Sequence, residues 1–191
     1  MKKIMILGAG IYQVPLIKTA KRLDITSVVV SIPGNYPGFE LADKVYYEDT
    51  TDYETILEIA KKEQIDGIVT AGTDVAVITI GKVCDELGLC GLTFDAAKIA
   101  ANKILMKASY EEHGVRTARF RKIPLDETDV SRHLSSLSFP LIFKAVDTSG
   151  SRGIIRVDSE AEFDAAIQNV KENTKSDSYI VEEFIEGEEF G

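Results

Sequence analysis

Short apolar runs alternate with amphipathic stretches through the first half of the chain. KIMIL, SVVVSI and GIVTAG are apolar runs of strand length, each closed by glycine or proline within a few residues. Runs of this kind belong to parallel strands that are covered on both faces. Between them, residues 12–23 and 74–87 read as helices. In a third helix Tyr53, Ile56, Leu57 and Ala60 share one face, behind a capping-box spacing of Thr51 and Glu54. A shorter strand is expected around Val45. Strand, helix, strand, helix in this rhythm predicts the α/β class, with a doubly wound parallel sheet over residues 1–94.

From Asp95 the rhythm changes. DAAKIAANKILMKASYEEHG reads as two helices, with Asn102 as N-cap of the second and Gly114 as its stop, so residues 95–113 are expected to form a helical linker. A strand over 117–123, a helix marked by Val130, Leu134 and Leu137, and strands at 141–146 and in IIRV follow. A further helix buries Phe163, Ile167 and Val170 behind a second capping-box spacing, Ser159 and Glu162, and YIVEEFI is the last strand. Residues 114–185 thus read as a small α+β unit, with mixed strand pairing expected.

Two stretches carry candidate chemistry. The first is the GAG turn after KIMIL. A dinucleotide fingerprint needs G-x-G-x-x-G and an acid after the second strand, but Gln13 holds the third glycine's place and the second strand ends in SIPGN. A tight strand-to-helix turn is the plainer reading. A small anionic substrate near Gly8, Gly10 and Thr73 is the alternative, because ligands of open α/β sheets sit at the strand ends. Asp74 shares that location and would serve equally as a helix cap.

The second stretch is FPLIFKAVDTSGSRG, residues 139–153. Lys144 sits in an apolar strand that breaks into a loop of small residues, Ser149, Gly150, Ser151 and Gly153, with Arg152 among them. Small residues let successive backbone N–H groups converge into a nest that binds anions.

Composition narrows these choices. A net charge of −9 argues against nucleic acid or an anionic membrane as partner, so a phosphate ligand must be held by local devices. No apolar run reaches the length of a membrane span. Lys2 and Lys3 before an apolar run imitate a signal peptide, but Gly8, Gly10, Gln13 and Pro15 interrupt it. The two cysteines, Cys84 and Cys90, are expected to be buried free thiols, which favours a cytoplasmic protein.

Asn102-Lys103 opening a helix, Phe139-Pro140 leading to Lys144, the loop to Gly153, and VEEFIEGEEF from Val181 occur in an order that resembles the N-terminal part of the ATP-grasp superfamily. The similarity is to its carbamoyl-phosphate-synthase-like and biotin-carboxylase-like branch, in which a Rossmann-like domain precedes the grasp. The resemblance implies ATP and magnesium as cofactors. It implies that Lys103 and Lys144 reach the phosphates, and that Ser149, Gly150, Ser151 and Gly153 form the loop closing over them. Glu182 would accept the adenine amino group. Glu183 and Ile185 would offer a carbonyl and an N–H to adenine, and Glu189 would bind ribose. Read without the resemblance, Lys103 is a first-turn surface lysine and the acids are a solvated charge run.

In that superfamily the magnesium ligands and the acceptor pocket lie in a C-terminal subdomain, of which residues 186–191 would be the start. The chain is therefore expected to be the ATP-binding part of a ligase that activates a small carboxylate as an acylphosphate for attack by an amine. It is expected to be inactive alone, with no metal ligands and no assignable catalytic residue. An unpaired apolar edge near Ile180 to Phe190 is expected, and it would favour a homodimer. A non-catalytic small-ligand or nucleotide-binding module, complete at 191 residues, is the alternative.

Overall fold

The computed structural model describes residues 1–148 and 150–188. The chain divides into two compact units, Met1–Ala101 and Asn102–Gly191.

In the first unit the apolar runs become β1 (Lys3–Leu7), β2 (Thr26–Ser31) and β4 (Gly67–Val69), with β3 (Lys44–Tyr47) on the outside. All pairings are parallel, in the order β3-β2-β1-β4. Helices α1 (Val14–Arg22), α2 (Tyr53–Glu63), α3 (Val77–Leu87) and α4 (Phe94–Ala101) complete the unit. The apolar runs are continuous because both faces of the sheet are buried. Met5, Leu7, Val28 and Val30 pack with Ile56 and Ala60 of α2 and with Ile80 and Val83 of α3. Ile6 and Val29 face the other way, onto Ala9 and Ile17. The doubly wound sheet expected from the sequence is present.

The boundaries differ in detail. The α2 N-cap is Asp52, whose carboxylate accepts from the Thr55 N–H, while Thr51 bonds Asp49 instead. α3 begins at Val77 behind Ala76 and takes no cap from Asp74. α4 packs on α3 so closely that a Cβ on Gly81 would lie 2.6 Å from the Ala97 Cβ. The stretch expected as a linker is thus shared: α4 lies in the first unit and the next helix in the second. Cys84 is buried, but Cys90 is exposed, because it follows the end of α3 in a surface turn; both are free thiols.

The second unit contains α5 (Lys103–Glu112), β5 (Phe120–Pro124), α6 (Val130–Leu134), β6 (Leu141–Ala145), β7 (Ile154–Val157), α7 (Phe163–Asn173) and β8 (Ser178–Glu183). Its sheet order is β5-β8-β6-β7 and every pairing is antiparallel, not mixed. The reason lies in the connections. The α6 crossover joins β5 to β6 and the α7 crossover joins β7 to β8, so each links strands running the same way. In both cases an opposed strand lies between the two, and no parallel pair is adjacent. Ser159 does not cap α7; it precedes a 3-10 turn, and Glu162 instead accepts from the Asp158 N–H.

Alternation along the strands gives this sheet two unlike faces. Phe143, Ala145, Tyr179 and Val181 pack beneath α6 and α7, against Val130, Leu134, Phe163 and Val170. Lys144 and Glu182 stand on the opposite face.

Candidate functional site

Lys144 lies on β6, an interior strand of the sheet, so its position is not that of an edge lysine. The β6–β8 register puts Ile142 opposite Glu182 and Lys144 opposite Ile180. Lys144 and Glu182 are therefore diagonal neighbours on one face, within reach of long side chains. The Lys144 Nζ meets the Glu182 Oε1 at 2.9 Å. The other carboxylate oxygen, Oε2, meets the Nζ of Lys107 at 2.8 Å. Lys107 comes from α5 and is the buried residue of that helix. Its ammonium also donates to the Thr117 Oγ1 at 2.5 Å and the Ala118 carbonyl at 3.3 Å, and it lies over the Phe120 ring. Glu182 and Lys107 are each 6% exposed, whereas Lys144 keeps a partly open side chain.

The loop leaves β6 after Ala145, one residue past Lys144, and returns in β7 at Ile154. Gly150, Ser151 and Gly153 all adopt left-handed backbone, at φ of 66°, 60° and 64°. Gly153 has a second constraint: a Cβ there would lie 2.7 Å from the Asn173 Cβ and 2.8 Å from the Ala145 Cβ. The loop base is tied down on both sides. The Asp147 carboxylate accepts from the Thr174 hydroxyl at 2.7 Å and the Lys175 N–H at 2.9 Å. Burial pushes that carboxyl up, but these hydrogen bonds and the nearby Lys103 charge outweigh it and hold it below the usual range. The Thr148 hydroxyl donates to the Arg152 carbonyl.

Lys103 reaches this loop from the first turn of α5. Its N–H donates to the Val146 carbonyl and its Nζ to the Thr148 carbonyl at 2.5 Å. Asn102 caps α5 as the sequence predicts, accepting from the N–H groups of Ile104 and Leu105. Lys103, Lys144 and the loop therefore belong to one side of one unit.

The end of β8 and the residue after it are tied by backbone hydrogen bonds. The Glu183 N–H donates to the Arg119 carbonyl and the Phe184 N–H to the Pro140 carbonyl. The Glu183 side chain takes the Arg119 guanidinium on both oxygens and the Ser138 N–H at 2.7 Å. The Arg119 contact, with the Ser138 bonds, holds that carboxyl below the usual range. Ile185 follows and is 68% exposed. Ser149 and Glu189 lie outside the described residues. Glu182 and Glu183 are thus not a solvated charge run, because each is committed to basic partners.

Two of those partners, Lys107 and Arg119, did not emerge from the sequence. Lys107 left one usable signal. It lies one helical turn beyond Lys103, on a helix of low amphipathicity where a lysine has no apolar reason to be inside.

The first unit has its own cleft, of about 450 Å³, at the C-terminal ends of its strands. Gly8, Gly10, Gln13, Ser31, Thr51 and Thr73 are among its lining. Gly8 has φ of 96°, and Gln13 donates to the Ala71 carbonyl across the turn, which explains a glutamine where a fingerprint has glycine. Among the described residues no group of three or more His, Cys, Asp or Glu could hold a metal ion, and no helix is long and apolar enough to cross a membrane.

Comparison with known proteins agrees with this architecture. The ATP-grasp domain family matches residues 137–191. A formate-dependent phosphoribosylglycinamide formyltransferase of Methanocaldococcus jannaschii is 28% identical over 189 residues, covering 96% of this chain and 48% of the relative. The crystal structure of phosphoribosylglycinamide synthetase from Anaerococcus prevotii superposes with a TM-score of 0.73 at 33% identity, covering 97% of this chain and 46% of that one. A biotin carboxylase domain of Hydrogenobacter thermophilus 2-oxoglutarate carboxylase, a dimer solved with MgADP and bicarbonate, has a TM-score of 0.80 at 20% identity, with coverages of 97% and 44%. The chain spans about half the length of the relatives it matches. It matches the ATP-grasp domain family in residues 137–191, and over nearly its whole length it is similar to about half of each of these relatives.

Proposed function

We propose that the chain is the nucleotide-binding N-terminal part of an ATP-grasp ligase. In the full reaction a carboxylate oxygen attacks the γ-phosphorus of ATP, ADP leaves, and an amine or similar nucleophile then displaces phosphate from the acylphosphate. The supporting observation is the placement of two lysines around one anion-binding loop. Lys144 stands at the loop's root with its ammonium held by Glu182, and Lys103 reaches its Thr148 carbonyl. Preorganised positive charge and backbone N–H groups are what phosphoryl transfer asks of a protein. In this reading Gly150, Ser151 and Gly153, with Ser149, cover the β- and γ-phosphates. Glu182, the Glu183 carbonyl and the Ile185 N–H meet adenine, and Glu189 meets ribose. Magnesium would neutralise phosphate charge, but the described residues offer no donor set that fits it, and no step is assigned to it.

Titration calorimetry with ATP–Mg tests the reading. Lys144→Ala should weaken binding tenfold or more, since it removes a charge-assisted contact worth ~1.5–3 kcal/mol. Unchanged affinity would remove Lys144 from the site.

A second ligand site is supported by the cleft near Gly8, Gly10 and Thr73. A small anionic substrate, such as the carboxylate to be activated, fits a site at the strand ends of an open parallel sheet. If the chain is instead a non-catalytic module, this cleft is where its ligand sits, and Lys144→Ala would leave that binding intact.

A further inference from the structure

Resting on that nucleotide reading, we propose that Lys107 is a positioning residue for phosphate recognition: it holds Glu182 so that Lys144 keeps a net positive charge to offer the nucleotide. Three charges share this face of the second unit. Glu182 places one oxygen on each lysine, at 2.8 Å from Lys107 and 2.9 Å from Lys144. The trio therefore carries one surplus positive charge. Of the two ammonium groups only that of Lys144 is open to a ligand, because Lys107 is 6% exposed and its other bonds go to Thr117 and Ala118.

Burying a carboxylate against a single lysine would give a neutral pair, and a neutral pair attracts phosphate weakly. The second, hidden lysine changes that balance. It also shares the claim on the carboxylate, so Lys144 is oriented by one oxygen without being neutralised. A carboxylate has about four lone-pair positions, so two lysines still leave acceptor capacity for an adenine amino group.

A purely structural Lys107 would behave differently from a charge-supplying one, and binding to the full chain separates them. Lys107→Gln keeps a hydrogen-bond donor toward Glu182 but removes the charge. Its affinity for ADP should fall about tenfold, roughly 1.4 kcal/mol, while its affinity for adenosine, which has no phosphate, should change less than about twofold. Lys107→Arg restores the charge and should bind ADP within about threefold of the parent. The proposal is overturned if Lys107→Gln binds ADP like the parent, or loses ADP and adenosine by the same factor. Should Lys107→Gln fail to fold, Lys107→Arg still decides, since a tenfold loss of ADP in a folded Arg variant also overturns it. Lys144→Ala is the control for the reading beneath: if that variant binds ADP normally, the nucleotide site itself is wrong, whatever Lys107 does.

Discussion

Gly153 shows how one residue can carry two separate demands. Its φ of 64° lies in the left-handed region, and a Cβ would enter the space of Asn173 and Ala145. Gly150 has the same backbone, at φ of 66°, but open space around it. Gly153→Ala should therefore cost about 2–4 kcal/mol and Gly150→Ala about 1–2 kcal/mol, as read by urea denaturation. Equal costs would mean that the packing of β6 on α7 does not reach Gly153. The sequence marks both glycines as loop residues but cannot tell them apart, since Asn173 and Ala145 approach only through the fold. Lys144 follows the same rule. Its apolar neighbours Phe143 and Ala145 announce a buried strand, yet those two face the helices and Lys144 faces away from them.

At the scale of elements, α2 separates a cap read from spacing and the cap that forms. Thr51 and Glu54 have capping-box spacing, but the carboxylate of Asp52 accepts from the Thr55 N–H at 3.2 Å. Thr51 turns back to Asp49, whose carboxyl is held below its usual range by the Thr51 N–H and hydroxyl. Asp52→Ala should lower thermal stability by about 1 kcal/mol, and Thr51→Ala by no more than ~0.5 kcal/mol. The reverse order would restore Thr51 as the cap. Adjacent candidates defeat sequence reading here because capping is decided by where the chain enters the helix. The two crossovers of the second unit teach a related lesson. Their helices and strands are each legible, but the insertion of β8 between β5 and β6 is a long-range choice. It turns expected mixed pairing into a fully antiparallel sheet.

Over the whole molecule, acid sensitivity follows from how its carboxylates are used. Glu63, at the end of α2, is buried and accepts from the ammonium groups of Lys44 and Lys3 and from the Tyr46 hydroxyl. The Lys44 and Tyr46 bonds lower its pKa from 4.5 to about 2 against the opposing effect of burial. A depressed folded-state pKa contributes stability above the unfolded value, and that stability is lost as pH falls from 4.5 through about 2. Glu63→Gln should cost about 1–2 kcal/mol at neutral pH, because Lys44 and Lys3 are partly solvated, and should flatten the loss of stability within that window. Denaturant melts of both proteins at neutral pH and near pH ~3 would check this; parallel curves would remove Glu63 as the cause. By itself the sequence determined the strand and helix rhythm, the parallel first sheet and the glycine-rich loop after β6, because these rest on periodicity and local turn chemistry; the resemblance to the ATP-grasp superfamily rests instead on four motifs in order. Only the tertiary structure decided that Glu182 lies between two lysines, that Lys107 is buried, and that Arg119 takes Glu183. Those partners are separated by 75 and 64 residues, and burial of a charge depends on what the fold brings to it.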